Sequence, residues 1–181
     1  MSYKENKNYK KYCKKYKDVN NSIATLENFC KQHNCTMEIF GSLLRKDYYY
    51  GKSDIDMVII TNNVDKTSSE FEYFINRNPC INLKAKKIVS YGINKDTIYC
   101  TGILHKISVN NNGADVCIVG KKDYIRYHEF IKPTFGALTF IIMAIIKFFF
   151  YQVPLIPLKY YLKAKEILYK KRLHIVKKVN K

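Results

Sequence analysis

The sequence predicts an α+β fold: a mixed β-sheet backed by helices, with a C-terminal helical extension. Three observations predict it. An apolar set at helical spacing (Ile23, Leu26, Phe29, Cys30) opens the patterned part of the chain. Strand-like runs rich in β-branched residues then follow one another. A long apolar stretch and a basic amphipathic stretch close the sequence.

Taken in order, residues 1–20 form a basic N-terminal segment, helical or frayed. Ser22 is placed to cap the helix that carries Ile23 and Leu26. TMEIF (36–40) reads as a short strand ending at Gly41, residues 42–46 as a short helical opening, and YYYGKS (48–53) as a loop. DIDMVIIT (54–61) is an apolar, β-branched strand. Residues 65–77 read as a helix with Phe71, Phe74 and Ile75 on one face. Strands are expected at 81–90, 96–108 and 114–119, with NNNG (110–113) turning into the last. A helix is expected at 121–130, interrupted by Pro133. Residues 135–151 are apolar apart from Thr139 and Lys147, VPLIP (153–157) breaks the chain, and 158–177 reads as an amphipathic basic helix. No repeat or linker divides the chain, so the expected organisation is the basic segment 1–20, one α+β domain at 21–130, and a helical extension at 131–181 packed on it.

The 181 residues suffice for one domain with a real core. Charge is the unusual property: 32 Lys and Arg stand against 15 Asp and Glu, a formal +17. Such a field favours polyanions, meaning nucleic acid, nucleotides or an anionic membrane surface, and it also serves solubility. Half of the basic residues lie in 1–20 and 158–181, where Tyr is interleaved with Lys, so stacking and phosphate contacts can combine. The six cysteines form no Cys-x-x-Cys pair, and Cys30, His33 and Cys35 fit no common zinc frame. Reduced thiols, with no signal peptide in the sequence, point to a cytoplasmic setting, or a host cytoplasm for a viral protein.

The chemistry concentrates in IFGSLLRKDYYYGKSDIDMVIIT (39–61). On a strand, Asp54 and Asp56 point to the same side, about 6–7 Å apart. Two like charges on one face call for cations, and Mg²⁺ (or Mn²⁺) takes one or two protein carboxylates together with substrate phosphates. Gly41 lets the backbone approach a ligand, and the N–H groups that follow it, with Ser42, can hold an anion. Arg45, Lys46 and Lys52 suit the charge of a phosphate chain. A third carboxylate on a neighbouring strand would complete the metal set and accept the proton of an attacking hydroxyl. Asp115, opening an apolar strand after a turn, is the best candidate; Asp96 is next, then Asp123 and Glu129.

Phe40-Gly41-Ser42, eleven residues, then Asp54-Ile55-Asp56-Met57 resembles the signature of the nucleotidyltransferase superfamily of the DNA polymerase β type. Ser53-Asp54-Ile55-Asp56 is similar to the corresponding run of its minimal members. The resemblance extends over roughly residues 20–120 and places the third acid where Asp115 stands. It implies metal-dependent transfer of a nucleoside monophosphate from a triphosphate such as ATP to an acceptor hydroxyl, with pyrophosphate leaving. The acceptor stays open: the basic termini favour DNA or RNA, while a small molecule, tRNA or protein fits the size of the chain. A non-catalytic nucleic-acid-binding protein of the same fold is the alternative.

FGALTFIIMAIIKFFFYQVPLIP (135–157) is long and apolar enough to raise a membrane anchor. Lys147 in its middle and the two prolines at its end oppose a span. The preferred expectation is a buried helix packed on the sheet, with Lys147 reaching the cleft or solvent.

Overall fold

Local sequence explains the turns that set the register of the sheet. The computed structural model describes residues 17–44, 48–93, 97–131, 137–169 and 171–179. The basic stretch 1–16, Arg45, Lys46, Asp96 and Pro133 lie outside the described residues. In chain order the elements are α1 (Lys17–Gln32), β1 (Thr36–Phe40), a single 3₁₀ turn (Gly41–Leu43), β2 (Ile55–Thr61), α2 (Val64–Arg77), β3 (Ile81–Ile93), β4 (Thr97–Val109), β5 (Asn112–Gly120), α3 (Lys121–Ile131), α4 (Ala137–Tyr151), α5 (Leu158–Tyr169) and β6 (Lys171–Val179). Asn63 caps α2, its side chain accepting from the Lys66 amide. Asn110 and Asn111 both take positive φ (49° and 66°), the geometry of a two-residue hairpin turn matched to strand twist.

The sheet order is β1-β2-β5-β4-β3-β6, so the expected mixed sheet with helices is present. Every neighbouring pair is antiparallel except β2 and β5, which run parallel. Strand alternation then sorts the two faces. Ile55, Met57, Ile59, Val116, Ile118 and Ile107 pack under α1 and α2, against Ile23, Leu26, Phe29 and Phe71. Val58, Ile60, Leu104, Cys117 and Val119 point to the other face, where Tyr127 of α3 covers them. A bulge between Leu83 and Ala85 lets β3 supply Ile81 to the first face and Val89 to the second.

Three expectations need correction. Ser22 is not a helix cap: α1 already runs from Lys17, and Ser22 is buried inside it. Its Oγ lies 2.9 Å from the Val109 carbonyl and accepts from Asn112 Nδ2 at 3.2 Å, so it ties α1 to the β4–β5 turn. Second, the basic helix expected at 158–177 stops at Tyr169; Lys171–Val179 is a strand paired with β3. The long β3 would otherwise be a bare edge, and a lysine-rich strand is a common way to end a sheet. The extension 131–181 is therefore helical only in part. Third, α4 does not pack on the sheet as a buried helix: it packs on α5 through Met143, Ile146 and Phe150. Lys147, expected in the cleft or solvent, is buried on that inner side. Among the described residues no helix is long and apolar enough to cross a membrane.

Beneath α2 sits a buried polar group, His105 of β4, edge-on to Phe71 and 3.4 Å from Ser68 Oγ. Burial first, opposed by the nearby Glu72 carboxylate, pushes His105 down to about 4. The unfolded chain therefore binds a proton between pH 6.5 and 4 that the folded one does not, and stability must fall as pH falls through that window. The expected loss from this one residue is about 3 kcal/mol. Urea titrations at stepped pH check it: His105→Leu should flatten this part of the acid limb.

Candidate active site

The pairing of β2 with β5 decides where the acids stand. In that parallel ladder Asp56 lies beside Asp115. Paired residues of neighbouring strands share a face, so both project on the α3 side, in line with Val58 and Cys117. α3 covers the far end of this face; Asp123, on its first turn, is beside Gly120, away from Asp115. The end bearing Asp54, Asp56 and Asp115 is left for other contacts, and all three residues retain solvent access.

Two glycines make room for the carboxylates. Gly41 has φ +77°, and a Cβ there would stand 2.0 Å from Asp56 Oδ2. Phe40, the residue before it, pairs with Asp56 in the β1–β2 ladder, so the strand-to-turn corner is set directly against that carboxylate. Ser42 follows, buried in the 3₁₀ turn. Gly113 does the same for Asp54: a Cβ there would lie 2.1 Å from Asp54 Oδ1. The loop before Asp54 is closed by Ser53, whose amide donates to the Tyr49 carbonyl at 2.8 Å and whose Oγ accepts from the Tyr49 amide at 3.2 Å. Lys52 turns elsewhere, donating to the carbonyl of Tyr151 at the end of α4.

The cation that the sequence called for is supplied in part by Lys106. It sits across from Asp115 in the β4–β5 ladder and donates to both its oxygens, at 2.9 and 2.8 Å. Desolvation works against the Lys106 charge, yet Asp115 foremost, then Asp54 and Asp56, hold its ammonium above the ordinary lysine value. Asp54 is exposed on its outer side, but the protein crowding its carboxyl, and then the charge of Asp115, push it above the usual carboxylate range. Lys106, Lys84 from the β3 bulge and Lys165 from α5 pull it back down. The structure therefore brings together Asp54, Asp56, Asp115, Gly41 and Ser42, and adds three lysines that sequence patterning missed. Alternation along β4 marks Lys106 as facing away from the α1 and α2 side, but no local pattern says that Asp115 is its neighbour.

Hard-oxygen donors on one strand face fit a divalent cation in kind. Among the described residues no three His, Cys, Asp or Glu side chains are gathered as a ready metal cluster. The arrangement accounts for this: Asp56 leans on Gly41, Asp54 on Gly113, and Asp115 on Lys106.

Replacing Lys106 with Met keeps length and removes the shared charge. The pair is partly exposed, so the expected cost at neutral pH and low salt is roughly 1 kcal/mol. The deficit should shrink in acid, where protonated carboxyls no longer repel; denaturation of Lys106→Met against the parent at two pH values checks this. Gly41→Ala should cost about 1–3 kcal/mol, because a positive φ and a displaced Asp56 combine. Against known proteins, no family model and no curated sequence matches the chain. Among solved structures it is similar to Cid1, described for its RNA terminal uridylyl transferase activity, at 12% identity and a TM-score of 0.40. That likeness covers 76% of this chain and 40% of the other, so the chain spans well under half of that protein's length.

Proposed function

We propose that this chain is a metal-dependent nucleotidyltransferase, moving a nucleoside monophosphate from a triphosphate to an acceptor hydroxyl and releasing pyrophosphate. The observation that carries the reading is the register that sets Asp56 beside Asp115, with Asp54 over Gly113 and the Gly41-Ser42 turn against Asp56. The acidic residues through which the chain resembles the polymerase β type superfamily share one sheet face, with the Gly41-Ser42 turn at its edge.

In this scheme Asp54 and Asp56 would hold Mg²⁺ or Mn²⁺, and Asp115, now paired with Lys106, would be the third ligand. A bound divalent ion would neutralise the phosphates and stabilise charge on the leaving oxygen. Gly41 and Ser42 hold the triphosphate through the backbone and a hydroxyl. Arg45, Lys46 and Lys52 were the expected counter-charges; Lys165 and Lys84, whose fields already act on Asp54, join that role. Asp115 accepts the proton of the acceptor hydroxyl. Catalysis on this plan is positioning and electrostatics. The excess of positive charge favours a polynucleotide acceptor, RNA or DNA, and a cytoplasmic setting agrees with the free thiols of Cys30, Cys35, Cys80 and Cys117.

A second reading rests on the Lys106–Asp115 pair. If that tethered ammonium is never displaced, the acidic face takes no metal, and the basic residues elsewhere on the chain bind nucleic acid without turnover.

The test is a screen of labelled nucleoside triphosphates with Mg²⁺ or Mn²⁺ against RNA, DNA and small acceptors. Asp54→Asn and Asp56→Asn are each expected to lower product formation at least about 100-fold without loss of fold by circular dichroism. Unchanged product in either variant removes the assignment. Salt-sensitive RNA retention with no product under any condition supports the binding reading.

A further inference from the structure

Two cysteines meet at the end of α1. Past the helix, Asn34 takes a left-handed conformation (φ 49°), and the Cys35 amide donates to the Cys30 carbonyl at 3.1 Å. A bond from the sixth residue back to the first is the mark of a Schellman turn. Such a turn brings its first and last side chains together, and apolar residues ordinarily fill both places. Here both are cysteine. Cys35 Sγ lies 3.8 Å from the Cys30 carbonyl oxygen, folded back over the last turn of the helix. The two thiols also bond each other. That bond first, and burial second, push the Cys30 thiol up. The same bond draws Cys35 below the ordinary thiol range, against the opposing effect of its own burial.

Position divides the work between them. Cys30 is 5% exposed and belongs to the core beneath α1 and α2. Cys35 borders that core and is half-buried, so small solutes reach it. A metal would compete for the same sulfur atoms, but the nearby His33 is stacked on Phe29 and paired with Glu70 at 3.1 Å. Among the described residues no third His, Cys, Asp or Glu joins the pair in a metal cluster. Glu70 opposes charge on Cys35, and Glu27 opposes it on Cys30. The negative charge is therefore held on Cys35 by the proton of Cys30. A reachable thiolate with a second thiol directly behind it is the arrangement of an oxidisable cysteine and its resolving partner.

We propose that Cys30 and Cys35 are a peroxide-responsive pair that closes into a disulfide across the turn between α1 and β1. The Cys35 thiolate attacks one oxygen of hydrogen peroxide and the O–O bond breaks. The departing hydroxide takes a proton and leaves as water, and Cys35 becomes a sulfenic acid. The Cys30 thiol then gives up its proton and attacks that sulfur, the S–O bond breaks, and a second water leaves. Two thiols are oxidised to one disulfide while one peroxide is reduced to two waters. The link joins the end of α1 to the start of β1, the strand that leads to Gly41. This reading is independent of the activity of the acidic site.

The experiment treats the reduced full chain with hydrogen peroxide, alkylates the remaining thiols and maps tryptic peptides by mass spectrometry. Trypsin cuts after Lys31, so the link appears as peptide 18–31 joined to peptide 32–45. This pair should be the first disulfide to form, and dithiothreitol should restore both thiols. Cys30→Ser should abolish the link and leave Cys35 as a sulfenic acid that dimedone traps, at least about tenfold faster than it traps the exposed Cys80. Cys35→Ser should leave the buried Cys30 unmodified. Circular dichroism verifies that the variants fold, and Cys30→Ala carries the same measurement if Cys30→Ser does not. The proposal is overturned if the parent forms no link between these two peptides, or forms it only within a disulfide-bonded dimer on a non-reducing gel. It is also overturned if Cys35 reacts no faster than Cys80, which would make the two cysteines the apolar filling of an ordinary helix end.

Discussion

Three like charges held on one sheet face need a positive partner, and most of the arrangement on that face follows from meeting this need. The parallel pairing of β2 with β5 creates the problem, by setting Asp56 beside Asp115 with Asp54 close by. The antiparallel pairing of β5 with β4 relieves it, by setting Lys106 opposite Asp115. Glycine at 41 and 113 lets the other two carboxylates spread apart rather than crowd. Each device comes from a different strand, so the charge balance is a property of the whole sheet and of no single segment.

Of the side chains that the structure sets near one another in the candidate site, the legible ones were those encoded locally. Gly41, Ser42, Asp54 and Asp56 could be read because a turn and one strand fix their spacing. Asp115 could be read because it opens an apolar strand behind an asparagine turn. Lys106 could not, since a lysine in a strand reveals its partner only when the strand order is known, and β4 reaches β5 through tertiary pairing. Lys165 was hidden for the same reason, on a helix read simply as basic. Asp123, which sequence could not dismiss, is removed by distance along β5.

The fold divides in the same way. Strong period-two and helical patterns gave the central strands and α2 within a few residues of their bounds. The errors lie where one pattern serves two structures. Lysines spaced among Leu, Ile and Val suit a basic helix or an edge strand, and the exposed flank of β3 decided for the strand. Ser22 was read as a cap because serine favours that place; its burial against the β4–β5 turn is a tertiary fact. An all-apolar helix says nothing about which side faces the protein, and so the side of α4 that packs on α5 was invisible until α5 was placed.

The link between Ser22 and Asn112 reaches further than its size suggests. Asn112 is the residue before Gly113, and Gly113 is the floor on which the Asp54 carboxyl rests. α1 thus works as a strut: it pins the tip of one hairpin and thereby sets the height of a carboxylate on the opposite side of the sheet. Whatever grips or loosens that first helix pulls on the geometry of the acidic face without touching any of its side chains.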